Sequence, residues 1–178
     1  MNWHAPAAFS LTLIIFAAAA AGQQPEVPKP GPEQALLQEM VGTWDCTVKM
    51  SETPGESKGT SVSRMGLSGQ WLMTDFEADL GGLPFQGHGL DSYDRAKKKY
   101  VSIWVDSMST SPIVMEGDYD ARTKTMTMTG EGPGMTGATV KYRNTTTHTD
   151  KDHQTFRMYL VEGGEDTLML TVEYTRRK

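Results

Sequence analysis

The stretch 42-GTWDCTVKMS-51 decides the fold of this chain. Its apolar residues occupy every second position, and these are Trp44, Cys46, Val48 and Met50. The residues between them are polar or charged. A period of two predicts a β-strand with one face toward a core and the other toward water. The bulky Trp44 opens this strand two residues after Gly42, where helical periodicity ends.

The same alternation continues to the end of the chain, with turn residues at roughly every eight to twelve positions. We predict strands near 58–68, 70–80, 85–94, 98–106, 112–120, 123–130, 137–149, 153–162 and 167–176. No second long helix and no βαβ alternation interrupt them. About ten strands joined by hairpins are most simply closed as an up-and-down antiparallel β-barrel, because closure removes exposed strand edges. The predicted fold class is therefore all-β, with one short helix before the barrel.

Three segments precede the first strand. The stretch PEQALLQEM predicts a short helix over 33–41, with Pro32 in its first turn, Gly42 as its stop and an apolar face of Ala35, Leu36, Leu37 and Met40. Residues 23–32 are rich in proline and predict an extended linker. Residues 1–22 combine an uncharged apolar run with small residues at its end, as in a secretory signal peptide.

Domain organisation follows from these segments: a signal peptide over 1–22, a linker over 23–32 and a single barrel domain over 33–178. The alternative, an uncleaved anchor, is disfavoured because the apolar run is shorter than the ~20 residues that a membrane span needs. We expect export to the periplasm or the outside of a bacterial cell, with no stable membrane anchor after cleavage.

Composition excludes several function classes. The net charge of −5 and a single dense basic run, RAKKK at 95–99, disfavour nucleic acid as a partner. Cys46 is the only cysteine, so no intrachain disulfide forms, and its place on the apolar face favours a buried thiol over a nucleophile. His88, His148 and His153 are not spaced as a metal-ligand pair. We expect neither a metal nor a cofactor.

The two ends of the barrel carry matching features. Gly42-Thr43-Trp44 begins the first strand, and Tyr174-Thr175-Arg176 ends the last one on a compatible face. This pattern resembles the calycin superfamily, which includes lipocalins and fatty-acid-binding proteins. There a Trp lies across one barrel end with an Arg packed over its ring, a cation–π contact. The resemblance implies that Gly42, Trp44 and Arg176 close the barrel and have a structural role.

The chain resembles a bacterial family within that group, the domain of unknown function 1579, still more closely. The resemblance lies in four stretches: MVGTWDC at 40–46, FQGHGLDSYDRAKKKYVSIWVDSMST at 85–110, MEGDYDARTKTMTMTGE at 115–131 and EDTLMLTVEYTR at 165–176. It implies export and a lipocalin-like barrel, and it supplies no established activity.

A ligand site is suggested by the strands between 70 and 106, whose faces do not sort into apolar and polar. One face of the earlier strand carries Trp71, Met73, Asp75 and Glu77, and one face of the later strand carries Tyr100, Ser102, Trp104 and Asp106. If both mixed faces point inward, a cavity gains apolar walls with a few polar anchors, as a small-molecule site requires. The candidate ligand-binding residues are Trp71, Met73, Asp75, His88, Trp104 and Asp106.

Three functions follow from these patterns. The first is binding of a small, largely apolar ligand in the barrel. The second is an interaction or dimerisation module with a filled core, in which the aliphatic faces point inward and the aromatic residues form a partner surface. The third is an enzyme using Asp75, His88 and Asp106, which requires these three side chains to converge.

Overall fold

The computed structural model describes residues 28–134 and 136–178. The predicted signal peptide and residues 23–27 of the predicted linker lie outside the described residues. One short helix, α1 (Pro32–Gln38), precedes the strands. The strands are β1 (Gly42–Met50), β2 (Ser57–Gly66), β3 (Trp71–Asp79), β4 (Pro84–Asp94), β5 (Lys99–Asp106), β6 (Ile113–Asp120), β7 (Thr125–Pro133), β8 (Thr139–His148), β9 (His153–Glu162) and β10 (Glu165–Arg176).

The ten strands form a closed antiparallel barrel in which each strand pairs with its neighbours in sequence and β1 pairs with β10. The predicted all-β, up-and-down barrel with one short preceding helix is therefore confirmed. The helix and most strands begin or end one to three residues from the predicted positions. The helix ends at Gln38 instead of residue 41, because a turn leads into β1. Strand β8 begins at Thr139, which leaves Ala138 in the preceding loop.

The closing strands have the predicted parity. Trp44 pairs with Arg176, and Val48 pairs with Val172. Trp44, Cys46 and Val48 are buried inside the barrel, and Arg176 lies on the same face. Gly42 precedes them with a φ of +138°, a conformation that favours glycine.

Helix α1 covers one end of the barrel. Leu37 is buried in a cluster with Leu72 and Tyr100, and the Tyr100 hydroxyl donates to the Glu33 carbonyl at 3.3 Å. The buried face of the helix includes Gln34 rather than Ala35, which is exposed. Within the described part of the chain, no helix combines the length and apolar character needed to cross a membrane.

The opposite end of the barrel is ringed by hairpin loops. Exposed apolar side chains stand there at the end of β1, in the β3–β4 loop and in the β5–β6 loop, and they are Met50, Leu83 and Met108. We call this end of the barrel the mouth.

Candidate functional site

The inner face of β9 is less buried than the inner face of β1. On β9, the side chains of Phe156, Met158 and Leu160 face inward, because their partners across the sheet include the inward Val172 and Tyr142. All three pack against the buried core clusters yet stay only half-buried. On β1, the inward Trp44, Cys46 and Val48 are buried. The wall at β9 therefore keeps apolar surface that the core does not fully cover.

The predicted site residues divide between two faces of the barrel wall. On β3 the inward residues are Leu72 and Phe76, both buried. Trp71, Met73 and Asp75 alternate with them and point outward. This differs from the sequence expectation, in which the mixed faces of both strands lined one cavity. The reason is the register: Phe76 pairs with Gly87, so the aliphatic face of β3 is the inner one.

The mixed face of β5 does point inward, and Trp104 forms part of the inner wall. Its indole ring lies across two glycines of β4. A Cβ added at Gly87 would overlap Trp104 Cζ2, and one added at Gly89 would lie 3.4 Å from Trp104 Cε3. Phe76 packs edge-on against the same ring, with centroids 6.3 Å apart. The glycines of the sequence Gly87-His88-Gly89 therefore make room for this indole.

Asp106 holds this indole in place near the mouth. Trp104 Nε1 donates to Asp106 Oδ2 at 2.9 Å, and the backbone N–H of Met108 donates to Asp106 Oδ1 at 2.9 Å. Both carboxylate oxygens thus have a donor. Asp106 positions the ring and the β5–β6 loop, and neither oxygen is left to act as a free base.

His88 and Asp75 form a separate cluster on the outer surface. His88 Nδ1 lies 2.6 Å from Asp75 Oδ1, and Arg64 Nη1 donates to Asp75 Oδ2 at 2.5 Å. Arg64, and then His88, hold the pKa of Asp75 below its usual range. The structure brings Asp75 and His88 together, but Asp106 lies on the inner face. The three residues of the enzyme hypothesis therefore do not converge.

Met73 and Trp71 lie on the same outer face as this cluster. Met73 Sδ lies over Gly66 of β2, where a Cβ would overlap it. Trp71 pairs with Gly66 at the start of β3 and is half-buried. Both side chains cover the outside of the sheet and do not border the interior.

The interior contains a carboxyl group that the sequence analysis missed. Asp91 lies on β4 between the inward residues Leu72 of β3 and Ser102 of β5. It is surrounded by protein yet keeps some accessible surface, as a side chain on an internal space does. Burial raises the pKa of Asp91 to about 6, and a hydrogen bond from Ser102 acts in the opposite direction. The alternation in β4 places Asp91 on the face of Gly87 and Gly89, which is the signal that could have revealed it.

Tyr174 of β10 shares this interior with Asp91. Burial raises the pKa of the Tyr174 phenol, and the nearby Cys46 and Asp91 raise it further. Cys46 itself is a free, buried thiol whose pKa burial raises to about 12. Both groups are therefore neutral near pH 7, as predicted for a structural thiol.

Two buried acceptors inside the barrel have no donor among the residues that the structure describes. Gln154 of β9 pairs with Tyr174 and is only 6% exposed, and its Oε1 has no hydrogen-bond partner. Asn144 of β8 donates Nδ2 to Met115 Sδ at 3.0 Å, which leaves its buried Oδ1 without a donor. Buried polar groups are normally hydrogen-bonded, so each of these oxygens needs an explanation.

Metal binding has no support in the described ranges, where no group of three or more His, Cys, Asp or Glu side chains is placed to hold an ion. His148 faces inward against the ring of Tyr119, and burial lowers the pKa of this histidine. His153 lies on the surface, 2.9 Å from Asp150 Oδ1.

A groove of about 640 Å³ lies on the outer face of the barrel. Most of its lining residues are outward, including the apolar Val101, Ile103, Val114 and Val161, and the core residues Met115 and Tyr142 also border it. Charged side chains border it, including the ion pair of Lys97 and Glu116 at 2.7 Å. The groove does not include any of the six predicted ligand-binding residues.

Comparisons with known proteins define the family and the fold. Residues 29–176 match the family described as "Protein of unknown function (DUF1579)". The crystal structure of Rv2717c from M. tuberculosis is similar in fold: the TM-score is 0.63 at 13% identity, over 83% of this chain and 99% of that one. A redesigned β-barrel gives a TM-score of 0.43 at 15% identity, over 85% of this chain and 100% of that one. No curated protein matches the sequence significantly.

Proposed function

We propose that this chain, which belongs to the DUF1579 family of proteins of unknown function, binds a small, largely apolar molecule inside its barrel. The observation that carries the proposal is that Phe156, Met158 and Leu160 of β9 face inward and keep part of their surface accessible. An apolar surface of this kind gains free energy, by roughly 25 cal/mol per Å², when a ligand removes it from water.

The chemistry of the interior supports this proposal. Apolar walls come from β9 and from the indole of Trp104, and a few polar groups such as Asp91 and Gln154 stand among them. Ligand pockets are commonly built in this way, with polar groups fixing orientation. The exposed Met50, Leu83 and Met108 at the mouth give an apolar ligand a route of entry.

Titration with the neutral fluorophore N-phenyl-1-naphthylamine tests the proposal. We expect saturable binding to about one site per chain, with energy transfer from Trp104 that decreases in Trp104→Phe, because that indole lines the interior. Absence of saturable binding to the folded protein would overturn the proposal.

A matched pair of variants locates the binding site. Leu170 faces inward and Thr171, its neighbour on β10, faces outward. Leu170→Trp places an indole in the interior and should weaken probe binding by more than about tenfold, whereas Thr171→Trp should leave it unchanged. Equal affinity in the two folded variants would place the bound probe outside the barrel and contradict the proposal.

Export and a relation to lipocalins form part of the same proposal. The apolar run and small residues within 1–22 support export to the periplasm or the cell exterior. The stacking of Arg176 on Trp44 supports a calycin-like barrel closure. Amino-terminal sequencing of the protein from its host tests the first point, since a chain that still begins at Met1 contradicts cleavage.

Self-association is a second candidate function, favoured by the outer groove. Val105 and Val114 are 44% and 52% exposed on neighbouring strands, an unusual position for β-branched apolar side chains. A homodimer that covers them would remove this surface from water. Size-exclusion chromatography with light scattering tests it: Val114→Lys should dissociate a dimer, and a wild-type monomer at high concentration would contradict it.

A further inference from the structure

We propose that the interior ligand carries a protonated nitrogen and that the Asp91 carboxylate is its counter-ion. This inference rests on the proposed function above, since it names the class of molecule that the interior takes: an apolar ammonium compound. Three features of the interior support it: the position of Asp91, the charges that face inward and the buried acceptors that lack donors.

Asp91 is the carboxylate that remains available inside the barrel. Among the carboxylates that the register places on inward positions of the described strands, Glu162 and Glu165 are exposed at the β9–β10 hairpin, and Asp106 already receives donors on both oxygens. Asp91 accepts a hydrogen bond from Ser102, lies beside Leu72 in the sheet and interacts with Tyr174. Because Asp91 keeps part of its surface accessible, it is the inward carboxylate that a ligand in the interior would contact.

Positive charge that would satisfy Asp91 is lacking on the inner face. No lysine of the described residues points inward, by the register of the strands. The inward Arg176 is fully engaged at the barrel end, where it stacks on Trp44 and donates to backbone carbonyls of Glu39, Val41 and Lys151. His148 is half-buried, and this burial lowers its pKa, which favours the neutral form.

The buried acceptors give a second, independent indication of the same ligand chemistry. Gln154 Oε1 and Asn144 Oδ1 both face the interior and lack donors among the described residues. Gln154 is only 6% exposed. It pairs with Tyr174 across the sheet, and Tyr174 interacts with Asp91. These two acceptors therefore lack a donor and Asp91 lacks a positive partner, and an ammonium group supplies both.

Electrostatics explains the expected selectivity. An ionised carboxylate in an apolar interior is costly unless a partner of opposite charge and suitable geometry is present. An organic ammonium provides that partner while its apolar part covers the walls. An anionic ligand such as a fatty acid would be repelled by the Asp91 carboxylate, and none of the described cationic side chains that face inward is free to pair with it. The interior therefore selects against carboxylate ligands.

Three probes with the same alkyl chain test this inference on the full mature protein: octylammonium, 1-octanol and octanoate. Binding is followed by calorimetry and by the fluorescence of Trp104. At about pH 7.5 we expect octylammonium to bind more than about tenfold tighter than 1-octanol, and octanoate to bind most weakly. This ranking in the wild-type protein does not depend on whether any variant folds.

The variant Asp91→Asn tests whether the Asp91 carboxylate is responsible for the preference for octylammonium. It should lower the affinity for octylammonium to that for 1-octanol while leaving 1-octanol binding unchanged. The matched control Asp118→Asn removes a carboxylate from the outer surface, where Asp118 pairs with Lys99, and should keep the preference.

Three results would overturn the inference, and they are distinguishable. If 1-octanol or octanoate binds as tightly as octylammonium, the interior binds apolar molecules but Asp91 does not select ammonium groups, and the proposed function stands. If none of the three probes and no naphthylamine binds, the proposed function itself fails. A preference that persists in folded Asp91→Asn also contradicts the assignment to Asp91.

Discussion

The guanidinium carbon of Arg176 lies 4.0 Å from the centre of the Trp44 ring, and the two residues pair directly across β1 and β10. Trp44 Nε1 donates to the Met40 carbonyl at 3.0 Å, and Arg176 Nη2 donates to the Glu39 carbonyl at 2.7 Å. This stacked pair therefore joins the first strand, the last strand and the end of helix α1. A Cβ at Gly42 would lie 2.6 Å from Arg176 Nη1, which explains the glycine two residues before the Trp.

Removing this guanidinium should destabilise the barrel. We expect Arg176→Ala to lower the free energy of unfolding by about 2–4 kcal/mol, because a cation–π contact and several charged hydrogen bonds disappear together. Urea unfolding followed by fluorescence measures the change. The control Arg122→Ala, whose side chain is 85% exposed, should cost less than about 0.5 kcal/mol. Equal stability of Arg176→Ala and wild type would contradict the closing role.

The buried thiol of Cys46 should be inert in the folded protein. Burial raises its pKa to about 12, so the thiolate that reacts with disulfide reagents is scarce near pH 8. We expect Ellman's reagent to react with native protein at least about a hundredfold more slowly than with urea-unfolded protein. The unfolded sample is the internal control and should release about one thiol per chain. Rapid reaction of the native protein would place Cys46 at the surface.

Strand order and closure could be predicted from the sequence because they depend on local signals. Alternation in 42–51 and turn residues between later segments marked each strand. The closing contact could also be predicted, since the parity of two terminal strands put Trp44 and Arg176 on one face. Predicting these features requires only the period-two alternation of apolar residues and the resemblance at the two ends of the barrel.

The orientation of the middle strands could not be predicted in the same way. In 71–79 and in 99–106, one face mixes aromatic and acidic residues and the other is largely aliphatic. Both faces therefore carry large apolar side chains, and alternation alone does not identify the inner one. The deciding contact is non-local: Trp104 needs the empty space above Gly87. Asp91 was missed because a carboxylate near a hairpin is usually solvated, and its burial depends on β3 and β5 together.

The packing of Trp104 on two glycines gives a matched pair of variants. Gly87→Ala places a Cβ within the indole of Trp104 and should lower the free energy of unfolding by about 1–3 kcal/mol, because the added methyl group must displace the ring. Gly89→Ala meets the same ring at 3.4 Å, an ordinary contact, and should cost less than about 1 kcal/mol. Urea unfolding and near-ultraviolet circular dichroism measure both. Equal costs in the two variants would show that the ring does not lie closer to Gly87.

Asp91 should make the stability of the barrel depend on pH in an unusual direction. Its pKa is about 6 in the folded protein, above the value of 3.8 for an exposed aspartate. Well below pH 3.8 both states bind the proton, and the group has no effect. Between about pH 4 and 6 the unfolded chain loses the proton first, so stability falls as pH rises. Tyr174, which interacts with Asp91, stays neutral over this range.

The variant Asp91→Asn should therefore stabilise the ligand-free protein near pH 7 by up to about 3 kcal/mol, since it removes the cost of an ionised carboxylate in the interior. At about pH 4 the variant and wild type should differ little, because Asp91 is then protonated. Urea unfolding at a series of pH values measures the difference, with Asp118→Asn as the exposed control. A difference that does not grow from pH 4 to 7 would mean that Asp91 titrates as in the unfolded chain. Octylammonium should reduce the difference, since it stabilises the ionised wild type and has no counter-ion in the variant.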